Sequence, residues 1–188
     1  SITLATEQGF ALVLALGSIW RGWALAEQGQ GTEAIPQIGQ GLDAFWATGA
    51  VLWRPYQLTL LAEACGKAGQ PEAGLSALAE ALEVVPRTGD RSYEAEVYRL
   101  KGTLTLQEAN QKAKGKSQKS ENTDPRPLIP NPQVEAEACF HKAIEIARKQ
   151  QAKSLELRAV MSLSRLWQQQ GKRTEAHNLL LEVYTWFT

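Results

Sequence analysis

Hydrophobic residues recur three and four positions apart along most of this 188-residue chain, a spacing that places them on one face of an α-helix. Residues 57–68 and 155–170 show the pattern clearly, and no long stretch alternates apolar with polar residues as a half-buried strand would. The pattern predicts an all-α chain with helices near residues 2–8, 10–28, 32–47, 52–68, 71–86, 91–109, 133–150, 153–170 and 173–187.

Glycines recur at an interval of 40 residues, which indicates an internal repeat. One set is Gly9, Gly49 and Gly89, and a second set is Gly29 and Gly69. A single insertion of 22 residues restores the register beyond them, because it then predicts a glycine at position 171, where Gly171 stands. Each glycine follows an apolar periodic stretch, so we expect it to supply the left-handed residue that ends a helix.

The same register aligns chemically similar side chains. Small residues recur at Gly22, Ala62, Gly102 and Ser164, and again as small to medium residues at Gly41, Ala81, Ala143 and Val183. Apolar residues recur at Ile38, Leu78, Phe140 and Leu180, and at Trp20, Leu60 and Leu100, with Ser162 as the exception. Small residues let two helices approach closely, so the columns predict an α-solenoid of helix-turn-helix units that cover one another's apolar faces.

We expect a single domain over residues 1–188 with about four units, near residues 10–49, 50–89, 90–151 and 152–188. Residues 1–8 resemble the end of a preceding helix. The chain has neither an initiator methionine nor a signal segment, so we expect a piece of a larger protein. Its first unit would then expose apolar surface such as Leu12, Val13 and Leu16.

Residues 110–132 contain the insertion within the third unit. The stretch QKAKGKSQKS carries four lysines and no acid, and DPRPLIPNP holds four of the chain's eight prolines. No packed core forms from this composition, so we expect irregular or polyproline-like chain. Two interpretations remain open: a loop tolerated in a solenoid turn, or a basic arm that docks a partner.

Composition excludes several classes of protein. Twenty Lys and Arg balance twenty Asp and Glu, which removes the usual electrostatic basis for nucleic-acid binding. The longest apolar run, residues 10–20, is too short to span a bilayer. Cys65 and Cys139 belong to no CxxC pair, so we expect two small buried side chains in a reducing, cytoplasmic compartment.

The residue patterns that catalysis requires are missing from the sequence. The two histidines, His141 and His177, have no ligand partners at metal-site spacing. There is no phosphate-binding loop, dinucleotide fingerprint or nucleophile elbow. We therefore predict that the chain is not an enzyme and needs no cofactor or metal.

The order of small residues, glycine, alanine and proline resembles the tetratricopeptide repeat. The second unit shows it as Ala62, Gly69, Gly74, Ala81 and Pro86. The stretches RGWALAEQGQ, LAEACGKAGQPEAGL, AEACFHKAIEIARKQ and LSRLWQQQGKRTEAHNLL resemble the C-terminal array of large bacterial signalling ATPases. Those proteins often carry a cyclase or kinase domain and are similar in layout to maltose-regulator-type activators. The resemblance implies a right-handed solenoid and carries no catalytic residue.

In the tetratricopeptide repeat the first helix of each pair lines the concave face. The resemblance places there Trp23, Tyr56, Thr59, Glu63, Lys67, Arg99, Thr103, Arg158, Arg165 and Gln169. Aromatic residues beside arginines suit an extended peptide with an acidic end, since Trp, Tyr and Arg dominate binding hot spots. The alternative is that Trp23 lies in the core and the arginines form a solvated, salt-bridged face.

We therefore expect a cytoplasmic signal-transduction module that binds a protein or peptide, including other domains of its parent chain, and that binds neither nucleic acid nor membrane. Two alternatives stay open. One is a small-molecule sensor like the inducer site of maltose regulators, since six tryptophans could stack on sugars. The other is self-association through Leu12, Val13 and Leu16.

Overall fold

A computed structural model describes residues 9–116 and 131–187, and these residues form eight α-helices and no strand. The helices are α1 (Ala11–Glu27), α2 (Gly31–Ala47), α3 (Arg54–Lys67), α4 (Pro71–Thr88), α5 (Glu94–Lys116), α6 (Pro132–Lys149), α7 (Lys153–Gln169) and α8 (Arg173–Tyr184). The all-α prediction is confirmed. The helix expected at 2–8 lies outside the described residues.

The repeat glycines end or separate the helices in the way that the sequence predicts. Gly9, Gly29, Gly49, Gly69, Gly89 and Gly171 all have φ between 69° and 82°, where a Cβ would be strained. Gln151 stands 62 residues after Gly89 and takes the same left-handed conformation at φ 53°. The turn therefore belongs to the repeat and is kept even where glycine is replaced.

The insertion was expected to be irregular from residue 110, and for its first turns that expectation is wrong. Helix α5 continues to Lys116. Position 109 carries alanine where the register predicts a terminating glycine, and residues 107–114 are almost all Gln, Glu, Ala and Lys, which favour helix. Residues 117–130 lie outside the described residues. Helix α6 begins after Asn131, whose side chain accepts a hydrogen bond from the Gln133 backbone N–H at 3.0 Å.

The chain divides into two compact units, residues 1–93 and residues 94–188. In unit 1, α1 pairs with α2 and α3 pairs with α4, while α3 also packs against α1 and α2. In unit 2, α5 pairs with α6 and α7 pairs with α8, while α7 also packs against α5 and α6. Hairpins thus follow one another in chain order inside each unit, and each covers the apolar side of its neighbour.

The columns of small residues lie where paired helices come closest. A Cβ on Gly22 would lie 2.6 Å from Ile38 Cγ1 and 3.0 Å from the Ala34 carbonyl oxygen. At the same register in unit 2, a Cβ on Gly102 would lie 2.7 Å from a ring carbon of Phe140. Close approach therefore requires a small residue at these positions.

One apolar column departs from the prediction. Leu60 is buried in the unit 1 core with Ile19 and Leu42, but Trp20, one repeat earlier, is 48% exposed. Leu60 lies on α3, which packs against both helices of the hairpin before it. Leu12 and Val13 on α1 are exposed, while Leu16 packs partly against the core.

Candidate binding site on the first helices

All ten predicted site residues lie on the first helix of a hairpin and form one group in each unit. The unit 1 group is Trp23 on α1 with Tyr56, Thr59, Glu63 and Lys67 on α3. The unit 2 group is Arg99 and Thr103 on α5 with Arg158, Arg165 and Gln169 on α7. The two groups differ in how far their polar atoms are already paired.

In unit 1 the polar side chains bind one another. Trp23 Nε1 donates a hydrogen bond to Glu63 Oε2 at 3.0 Å. Lys67 pairs with Glu27, and its Nζ lies 3.9 Å from Glu63 Oε1 and 5.9 Å from the centre of the Trp23 ring. These groups therefore form a network of ion pairs and hydrogen bonds on one face of α1 and α3.

Tyr56 belongs to an aromatic cluster beside that ion-pair network. The ring centres of Tyr56 and Tyr93 lie 4.4 Å apart, and the Trp20 side chain makes a hydrogen bond to Tyr56. Burial, and then the neighbouring Tyr93 and Glu63, raise the pKa of Tyr56. Thr59 is 3% exposed and donates to the Tyr56 carbonyl oxygen at 2.6 Å, so it supports the helix and does not face solvent.

In unit 2 two arginines share one buried carboxylate. Arg99 donates from Nε and Nη2 to the two oxygens of Glu96 at 2.9 and 2.7 Å, and Arg158 Nη2 lies 2.8 Å from Glu96 Oε1. Arg99 Nη1 also donates to Ser162 Oγ at 3.4 Å, which links α5 to α7. The two guanidinium groups and the buried carboxylate therefore form one ion-pair cluster.

A groove of about 540 Å³ lies next to this cluster, within the range of ligand sites. The residues that line it are Arg99, Thr103, Leu106, Gln107, Asn110, Gln111 and Lys114 on α5, Phe140 on α6, and Ser162, Arg165, Leu166 and Gln169 on α7. Four of the predicted residues line it, and Arg158 does not. Three cations and no carboxylate are among the lining residues.

Asn110, Gln111 and Lys114 were not among the predicted site residues, because the composition of residues 110–132 indicated an irregular insertion. The signal that could have found them is helix propensity, since Ala, Gln, Glu and Lys continue from α5 without a break. In the sequence Ser162 stood out only as an exception in an apolar column. In the structure the Ser162 side chain lines the groove.

Residues outside the two groups serve the fold. Cys65 and Cys139 are buried as predicted, and burial raises the pKa of both thiols, which keeps them in the unreactive thiol form. Trp167 packs on the unit 2 core and donates from Nε1 to Glu137 at 2.7 Å. Trp186, by contrast, is 64% exposed.

Two further features of the described residues bear on the site. Residues 9–116 and 131–187 contain no cluster of three or more His, Cys, Asp or Glu arranged to hold a metal ion. Within the same residues no helix has the length and apolar character needed to cross a membrane.

Comparisons with known proteins give a likeness of fold alone. No family model matches the chain, and no curated protein matches it. Two crystal structures from Podosopora anserina, described as nearly identical TPR-like repeats of a putative kinesin light chain, are similar to it. Both are 19% identical over 90% of this chain and 92% of theirs, and their TM-scores are 0.42 and 0.41.

Proposed function

We propose that this chain is a non-enzymatic protein- or peptide-binding module and that the unit 2 groove is its binding surface. The observation that carries the proposal is the groove of about 540 Å³ between α5 and α7, to which Arg99, Thr103, Arg165 and Gln169 contribute. All four come from first helices, the face on which the sequence analysis expected a partner.

The lining of the groove suits a peptide chain. The hydroxyl protons of Thr103 and Ser162 go to backbone carbonyl oxygens, but both hydroxyl oxygens can accept hydrogen bonds from peptide groups. The side-chain amides of Asn110 and Gln169, which also line the groove, can donate and accept. Leu106 is half-buried and adds apolar surface, while Phe140 and Leu166 are buried beneath the groove. Polar groups, some apolar surface and arginine are also found together at protein interfaces.

The unit 1 face contributes less to this proposal. Its charged groups, Glu27, Glu63 and Lys67, are paired with one another and with Trp23. A partner would have to break those contacts before it could bind there, whereas Arg165 in the unit 2 groove is exposed.

The proposal is tested by selecting peptides from a random display library on the 188-residue chain and measuring their affinities by fluorescence anisotropy. Arg165→Ala should weaken the selected peptides about fivefold or more, because arginine contacts at a peptide interface contribute about 1 kcal/mol or more. The matched control is Arg173→Ala, an exposed arginine on α8 that does not line the groove. Equal affinities for both variants would contradict the proposal.

We also propose the wider setting: a cytoplasmic regulatory array at the C-terminal end of a bacterial signalling ATPase, which relays partner binding to the ATPase. The support is the resemblance of the repeat stretches quoted above. The coding region that flanks this segment is the test, and an upstream region without an ATPase domain would contradict it. The small-molecule sensor stays an untested alternative.

A further inference from the structure

We propose that the groove of unit 2 binds an acidic peptide segment, and that Lys114, which the insertion supplies, is part of this binding site. The inference rests on the proposed function and adds to it the chemistry of the partner and a role for the start of the insertion.

The insertion lengthens one wall of the groove. Arg99, Thr103, Gln107, Asn110 and Lys114 follow one another at steps of four, four, three and four residues, which places them on one face of α5. This stripe spans about 22 Å at the rise of an α-helix. The predicted third-unit helix ended near residue 109. The C-terminal part of the stripe, Asn110 to Lys114, is therefore present because the helix continues into the insertion.

The opposite wall comes from α7. Ser162, Arg165 and Gln169 are spaced by three and four residues and also share one helix face. Arg165 and Lys114 are exposed. The groove therefore has a cation on each wall, and its third cation, Arg99, is held by Glu96.

Charge identifies the partner. The whole chain is neutral, with twenty basic and twenty acidic residues, yet no carboxylate lines the groove, and Lys114 and Arg165 add a positive charge on each of its walls beside the Arg99 that Glu96 holds. Such a local surplus attracts an acidic segment and repels a basic one. A nucleic acid would need a broad basic face, whereas this groove is lined by three basic residues among amides and hydroxyls.

The test uses the 188-residue chain and a fluorescein-labelled decaglutamate peptide, with affinity measured by fluorescence anisotropy. Decaglutamate should bind and lose affinity as salt is raised, while decaglutamine and decalysine should not bind. Lys114→Ala and Arg165→Ala should each weaken binding about three- to tenfold, and Lys114→Arg should restore it.

Lys112→Ala is the matched control, because it removes the same charge from the same extension of α5. Lys112 pairs with Glu108 and does not line the groove. It should change the affinity less than about twofold. Equal losses from Lys112→Ala and Lys114→Ala would overturn the inference, as would tighter binding of a single-stranded oligonucleotide than of decaglutamate. If display-selected peptides bind in the groove but decaglutamate does not, the inference fails while the proposed function stands.

Discussion

At the scale of single residues, the contact between paired helices depends on glycines that have no room for a side chain. Gly22→Ala would place a Cβ 2.6 Å from Ile38 Cγ1 and 3.0 Å from the Ala34 carbonyl oxygen. We expect a loss of about 1–3 kcal/mol in the free energy of unfolding, because the helices must move apart. Urea denaturation measures it.

Gly39→Ala is the control for that change. Gly39 lies inside α2, and a Cβ there would meet no atom within 4 Å. The substitution should stabilise the protein by about 0.5–1 kcal/mol, because alanine favours helix over glycine. If both alanines had the same effect, packing at Gly22 would not be the cause.

A second residue-scale prediction concerns Gln57 on α3, which is 1% exposed and whose amide atoms have no hydrogen-bond partner in the described residues. The positions in register with it, Val97 and Ala159, are buried and apolar. Gln57→Leu should therefore stabilise the chain by about 1–2 kcal/mol, since it removes a buried polar group without changing the volume much. Thermal unfolding measures this, and Gln57→Glu should destabilise the chain.

At this scale the sequence predicts the conformation of a residue where local backbone preference determines it. It does not predict the exposure of a residue that depends on neighbouring helices. The left-handed glycines follow from local backbone preference, and all six have the predicted φ. Trp20 shows the opposite case. Its exposure depends on which helices lie beside α1, and the repeat register alone does not contain that information.

At the scale of elements, a buried carboxylate joins the helices of unit 2. Glu156 on α7 is 4% exposed at its side chain; it accepts from Arg148 Nε at 2.7 Å and from Lys153 Nζ at 2.8 Å. Arg148 also reaches Glu182 on α8 at 2.8 Å. Burial acts to raise the pKa of Glu156, but the bonds from Lys153 and Arg148 outweigh it and hold the pKa below its usual value.

The sign of the pH dependence follows from that lowered pKa. Its stabilising contribution is present above the unfolded pKa of about 4.3 and is lost as the pH falls through the folded value. Glu156→Gln should lower the free energy of unfolding by about 1–3 kcal/mol at neutral pH, and the difference from the natural chain should shrink below about pH 4. Urea denaturation across a pH series measures both effects. Glu182→Gln, at an exposed partner of Arg148, should cost less than about 1 kcal/mol.

Helix α5 shows where element prediction failed and why. The lysines and prolines of 110–132 indicated a loop, but the prolines start only at Pro125, and Ala109 leaves the helix without a terminator. The helix propensity of the first residues of the insertion therefore determines that α5 continues to Lys116. The same misassignment hid Asn110, Gln111 and Lys114 from the candidate site, whereas Arg99 and Arg165 were found because they follow the repeat.

At the scale of the whole molecule, each of the two units has a core of its own. Unit 1 packs around Ile19, Ile38 and Phe45, and unit 2 around Phe140 and Leu163. Every residue that lines the groove belongs to residues 94–188. We therefore expect a fragment of residues 94–188 to remain helical by far-UV circular dichroism and to bind decaglutamate within about threefold of the complete chain.

The companion fragment, residues 1–93, is the control for that comparison. It should also be helical, because its hairpins pack on one another, and it should bind no decaglutamate. Binding by residues 1–93 alone, or equal binding by both fragments, would remove unit 2 as the location of the site.

The lengthening of α5 also separates recognition from packing. The added turns extend along the helix axis, so the contact between α5 and α6 at Gly102 and Phe140 is unaffected by them. Residues such as Lys114 can then be substituted without disturbing the core. An inserted segment in a helical repeat can in this way supply binding chemistry on a helix whose earlier turns are already anchored by buried contacts.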